Sequence, residues 1–305
     1  MTRSDAAPHT TPAAEPVRLV AADGYVLAAQ RFAARGTRHS RLIVAGATGV
    51  PQGFYKRFAQ HAAAQGFEVL TLDYRGIGLS RPATLRGFRM DYLDWAQQDL
   101  AAAVDAMPDD GLPLVMVGHS YGGHAFGLLP NHHRVTRFIT LATGAGWHGW
   151  MPRGEQPRVL FMWRVLGPLL TRWKGYLPWR MLGMGEDLPL DVYRQWRHWC
   201  SFPRYFFDDP RMAGHRLADR FNAVRTPIVA LNASDDRWAP PASRDAFMAA
   251  YRHAPVHRVT LQPASLGLRA IGHMGYFRPA AQPLWDDMLA WLQGRVPPGR
   301  HLPLH

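Results

Sequence analysis

The 305-residue chain is 47% hydrophobic and only 19% charged, enough apolar material to bury a large core as one or two domains and too much for a disordered polypeptide. A single cysteine, Cys200, excludes an internal disulfide framework and fits a reducing, cytoplasmic setting. The net charge of +12 is almost all arginine, scattered singly with no basic run, so nucleic acid is not an expected partner.

Residues 1–15, rich in Ala, Pro and Thr, read as a disordered leader without an apolar core of signal-peptide length. Residues 16–141 carry the first part of an α/β core. The segments 17–20 and 25–32, joined across Ala22-Asp23-Gly24, predict a hairpin at the sheet edge, because Asp-Gly between alternating apolar residues favours a tight turn. RLIVAG at 41–46 is a continuous apolar run of the kind a strand buried on both faces requires, and it ends in a loop of small residues, 47–53. A helix over 54–65 stopped by Gly66, a strand over 67–72, an amphipathic helix over 91–107 and a strand running into residue 120 continue the alternation, which predicts a mostly parallel sheet covered by helices on both faces.

The segment 114–124, LVMVGHSYGGH, leads an apolar strand directly into Gly118-His119-Ser120-Tyr121-Gly122. Gly-x-Ser-x-Gly after a strand places a serine at the apex of a sharp strand-to-helix turn, where the residues two before and two after must lack a Cβ. Ser120 is thereby exposed above the sheet edge as a candidate nucleophile, and the N–H of Tyr121 lies at a helix N-terminus where an oxyanion would form. The second oxyanion donor is expected from the loop after 41–46, with Ala47 and Thr48 both candidates.

Residues 142–224 break the alternation. Seven of the eleven tryptophans fall here, and the segment reads as a helical, aromatic-rich cap. Most of its aromatics fill its own core, while some, with Trp147 and Trp150 as candidates, line a substrate pocket over Ser120. The run 159–170 is broken by Arg164 and Gly167-Pro168 and is too short and too charged to span a bilayer.

The core resumes over 225–296 with a strand at 226–232, a helix at 241–251, a last strand at 256–261 and a closing helix at 282–292. Residues 297–305 read as an unstructured tail. A serine hydroxyl needs a base to remove its proton, and that base needs an acid to fix its tautomer. His273 follows the last strand and is flanked by Gly272 and, two residues on, Gly275, so it is the candidate base. Asp236 follows the strand at 226–232 and is the preferred acid, four residues before Pro240. Asp235 is the alternative, with a turn-capping role as its other reading.

With DYRGIGLS at 73–80, GHSYGG at 118–123, SDDRWAP at 234–240 and GHMGYF at 272–277, the chain resembles the α/β-hydrolase superfamily, of the serine aminopeptidase and monoacylglycerol lipase-like type. It is more closely similar to a bacterial branch of predicted hydrolases marked by ATGVPQGFY, LLPNHHRV and GEDLP. The resemblance implies the α/β-hydrolase fold with a helical cap, Ser120 as nucleophile, Asp236 as acid and His273 as base, with no metal or cofactor. It also disfavours epoxide and haloalkane hydrolysis, which use an elbow aspartate. Where many members begin the oxyanion loop with His-Gly, this chain has Ala45-Gly46.

The expected function is a serine hydrolase that cleaves a carboxylic ester or related small-molecule acyl substrate. The same residues would serve an acyltransferase, thioesterase, amidase, peptidase or C–C hydrolase, and a non-catalytic ligand-binding homologue is the reading of another class. Contact of the aromatic, arginine-bearing cap with a membrane surface is a third reading, which nothing in the sequence itself supports.

Overall fold

Eight strands form one sheet in the order β1-β2-β4-β3-β5-β6-β7-β8, in a computed structural model that describes residues 12–299, 301 and 302. The strands are β1 (Ala14–Val20), β2 (Val26–Phe32), β3 (Ser40–Ala45), β4 (Phe67–Leu72), β5 (Leu114–His119), β6 (Val135–Leu141), β7 (Ile228–Ala233) and β8 (Val256–Leu261). β2 pairs antiparallel with both β1 and β4, and every other pairing is parallel. This is the expected α/β-hydrolase sheet with its hairpin edge.

The apolar runs of β3, β5 and β7 are continuous because alternate residues serve two different layers. Ile43, Met116 and Ala230 pack into one core, and Leu42, Val44, Val115, Val117, Val229 and Leu231 into the other. The helices α1 (Lys56–Ala64), α2 (residues 95–105), α3 (Tyr121–Ala125), α4 (residues 156–174), α5 (Leu190–Trp199), α6 (Leu217–Ala223), α7 (Pro241–Met248) and α8 (Gln282–Leu292) are joined by short 3₁₀ turns. Parallel strands deliver their C-terminal ends to one edge, so the loops after β3, β5, β7 and β8 meet there.

Three expectations need correction. The leader at 1–15 ends earlier, since Ala14 and Glu15 already pair with Phe32 and Arg31; residues 1–11 lie outside the described residues. The helix expected over 91–107 starts at Trp95 with a π-helical turn to Leu100, within which the buried Asp99 carboxylate accepts the Arg75 backbone N–H at 2.8 Å and Nε–H at 2.7 Å. The tail is docked where it is described: the Asp287 carboxylate, 0% exposed, accepts the N–H groups of Gly299 and His301, and Leu302 is buried in the core. Arg300 and residues 303–305 lie outside the described residues.

Between β6 and β7 the chain builds the helical segment α4 to α6 over the sheet edge. Glu186 N–H donates to the Gly49 carbonyl at 2.8 Å, and Tyr92 N–H donates to Gln195 Oε1 at 2.6 Å. The Tyr92 ring stacks between Tyr121, 4.5 Å away, and Trp199 of α5, 5.3 Å away. The covering segment is thus tied both to the loop after β3 and to the residue following Ser120.

Candidate active site

Ser120 sits between β5 and α3 with φ +50° and ψ −104°, a conformation a non-glycine residue holds only where its surroundings impose it. The glycines around it make the turn sterically possible. A Cβ on Gly122 would lie 2.1 Å from the Ala45 carbonyl oxygen, and one on Gly118 would lie 2.6 Å from the Gly122 carbonyl. The elbow is therefore pressed directly against β3.

The structure brings Ser120, His273 and Asp236 together. The Ser120 hydroxyl donates to His273 Nε2 at 3.1 Å, and His273 Nδ1–H donates to Asp236 Oδ2 at 2.9 Å. Asp236 Oδ1 accepts the N–H groups of Trp238 at 2.9 Å and Ala239 at 3.0 Å. Burial works against ionisation of this carboxyl, yet the charge of His273 and its hydrogen bonds hold it below the usual carboxylate range. Asp235 does a different job. Its carboxylate accepts Ile271 N–H at 2.9 Å and Gly272 N–H at 3.0 Å, which pins the loop that carries His273. Gly272 serves there through its φ of +56°, since a Cβ on it would meet nothing within 4 Å.

Two residues that sequence reasoning passed over tie this constellation to the loop after β3. His119, 0% exposed, donates Nε2–H to the His273 carbonyl at 2.9 Å and accepts the Tyr55 hydroxyl at Nδ1, 3.0 Å away. Tyr55 Oη in turn accepts Ala47 N–H at 2.8 Å. Burial drives the His119 pKa down to about 3, so the ring is neutral, as this donor and acceptor pattern requires. Only the fold shows His119 as a relay of hydrogen bonds.

This network bears on the two candidate donors in that loop. The Ala47 amide is already engaged by Tyr55, whereas no acceptor takes Thr48 N–H among the described residues. Tyr121 N–H, in the first turn of α3, is one of the amides a helix leaves without an internal partner.

A cavity of about 350 Å³ opens on Ser120 and His273. Trp163, Trp179 and Trp196 from the covering segment and Trp238 from the loop after β7 form its walls with Met151, Val159 and Met184, and among the described residues no Asp, Glu, Lys or Arg lines it. Trp196 meets Trp163 and Trp179 edge to face at 4.9 and 5.2 Å. Trp147 and Trp150 do not line the cavity and are a correction to the sequence reading. They pack edge to face on each other at 5.8 Å, and Trp150 Nε1–H donates to the Pro203 carbonyl at 2.8 Å, on the outside of the segment.

Residues 39–264 match the family described as serine aminopeptidase, S33. Among solved structures, the chain is similar to a soluble variant of monoglyceride lipase from Saccharomyces cerevisiae in complex with a substrate analogue. They are 16% identical over 93% of this chain and 96% of that one, with a TM-score of 0.66. It is also similar to a Pyrococcus furiosus esterase, 14% identical over 93% and 92% with a TM-score of 0.60. A third is a thioesterase domain from the curacin biosynthetic pathway, 14% identical over 92% and 99% with a TM-score of 0.57. These likenesses show a shared fold. No curated protein matches the sequence.

Proposed function

The chain belongs to the serine aminopeptidase S33 family and is a hydrolase of the α/β type, and from that premise we propose that it cleaves carboxylic esters of uncharged, apolar acyl groups through an acyl-enzyme on Ser120. His273 Nε2 takes the Ser120 proton as Oγ attacks the substrate carbonyl carbon, and Asp236 stabilises the imidazolium. The N–H groups of Tyr121 and Thr48 hold the tetrahedral oxyanion. Collapse expels the alcohol, which receives the proton from His273. Water, deprotonated by the same imidazole, then attacks the acyl carbon and releases the acid and Ser120.

The observation that carries this reading is the continuous chain of hydrogen bonds, 3.1 Å from Ser120 to His273 and 2.9 Å from His273 to Asp236, at the mouth of a cavity that no Asp, Glu, Lys or Arg lines among the described residues. Burying an unpaired charge in such a cavity is costly, which selects neutral acyl chains. The test is stopped-flow hydrolysis of p-nitrophenyl esters of graded chain length. A burst of nitrophenolate equal to the enzyme concentration, absent from Ser120→Ala, is expected. A folded wild type that turns over no ester, or a Ser120→Ala variant that keeps the rate, refutes it.

A further inference from the structure

Residues 156–185 contain no aspartate or glutamate but five basic residues, Arg158, Arg164, Arg172, Lys174 and Arg180. Helix α4 makes up most of this stretch and has two working faces. Val159 and Trp163 turn inward to line the cavity. On the other side Phe161, Val165, Leu169 and Trp173, spaced four residues apart, are 57, 43, 62 and 59% exposed. Met181 and Met184, 59 and 40% exposed, extend this apolar surface towards the cavity, which Met184 also lines. A groove lined by Phe161, Met184, Trp238, Arg158 and the Glu155–Arg237 ion pair adjoins the cavity, with which it shares Val159, Met184 and Trp238. Single exposed apolar side chains are ordinary, but a contiguous set rimmed by polar residues marks a contact surface.

The charges around the patch select its occupant. Arg158, Arg164 and Arg172 are exposed and have no acidic partner among the described residues. Two copies of the chain meeting through this patch would set the same cations against one another, because a two-fold interface is self-complementary. An anionic lipid surface instead complements both features, taking the apolar side chains into the headgroup boundary and the arginines onto the phosphates. No helix among the described residues is long and apolar enough to cross a membrane, so the contact is one of lying on the surface.

We propose that α4 and the turn to Met184 dock this protein on anionic phospholipid bilayers, with the mouth of the cavity towards the lipid. Resting on the hydrolase reading above, this names the substrate class as esters that partition into membranes.

The experiment is flotation of the full chain with vesicles of phosphatidylcholine alone and with about a quarter phosphatidylglycerol, at low and high salt. The wild type and Ser120→Ala are expected to float with the anionic vesicles at least about tenfold more than with neutral ones, and to be released by salt. Leu169→Glu/Trp173→Glu and Arg164→Glu/Arg172→Glu are expected to stay unbound while hydrolysing a short water-soluble ester at the wild-type rate. Failure of the wild type to float, flotation unchanged in both double variants, or a solution dimer that Leu169→Glu dissociates overturns the docking. Floating protein without esterase activity leaves the docking intact and refutes the hydrolase reading instead.

Discussion

Replacing Tyr55 with Phe isolates the hydrogen bonds that join the nucleophile elbow to the loop after β3. The ring is 1% exposed and packs perpendicular to Phe277 at 4.8 Å, contacts that Phe retains, so the substitution removes one oxygen and little packing. That oxygen accepts Ala47 N–H at 2.8 Å and donates to His119 Nδ1 at 3.0 Å. Without it, two buried groups lose their partners in a region closed to water. Each orphan costs about 1–3 kcal/mol, so Tyr55→Phe should destabilise the protein by about 2–6 kcal/mol. Because Ala47 anchors the loop that presents Thr48, kcat for esters should also fall about 10–100-fold with a smaller change in KM. Urea unfolding followed by tryptophan fluorescence measures the first effect and steady-state kinetics the second. In the double variant with His119→Leu, the total should be less than the sum of the two single losses, since one orphan is removed with its partner. A Tyr55→Phe protein within about 0.5 kcal/mol of wild type and with unchanged kcat would refute the reasoning.

Other substitutions and conditions give equally definite outcomes. Asp236→Asn should keep the fold and lower kcat by about 10⁴, because the amide favours the wrong His273 tautomer. Asp235→Asn should instead cost about 1–3 kcal/mol of stability and far less of kcat, since Asp235 holds only the Ile271 and Gly272 amides. Equal kcat losses in the two variants at equal stability would contradict this division. Burial holds His124 at a pKa of about 4, so the unfolded chain takes up a proton below about pH 6.5 that the folded chain refuses. That part of the stability is complete above pH 6.5 and is lost as the pH falls towards 4. Asp99, which burial raises to about 7, titrates over the same range with the opposite sign, so the comparison must be made against a variant. The penalty of His124→Asn in urea melts should shrink by about 2.5 kcal/mol between pH 7 and 4.5, and a constant penalty would contradict it.

The sheet was legible because burial on both faces forces an unbroken apolar run, as in β3 and β5, and the elbow because its glycines answer a local steric demand. The elements that carry Ser120, Asp236 and His273 could be ordered from strand positions alone. The covering segment was not legible in the same way. Its cavity walls are chosen by tertiary packing, so nothing local distinguishes Trp163, Trp179 and Trp196 from Trp147 and Trp150. Helix α4 runs through Gly167-Pro168, a pair that normally ends a helix. A π-helical turn at Met162–Leu166 absorbs the missing Pro168 amide, and Gly167 makes room for the Tyr193 hydroxyl, which a Cβ would meet at 2.4 Å. The His119–Tyr55 relay joins residues 64 positions apart, a relation no periodicity reports.

Every catalytic step proposed for this protein depends on Ser120 being a nucleophile activated by His273. Incubating the folded protein with a fluorophosphonate and mapping the adduct by peptide mass spectrometry tests it most directly. One adduct per chain is expected, on Ser120, absent from Ser120→Ala and formed much more slowly by His273→Ala. A folded wild type that stays unlabelled while hydrolysing esters, or an adduct on another residue, would contradict it.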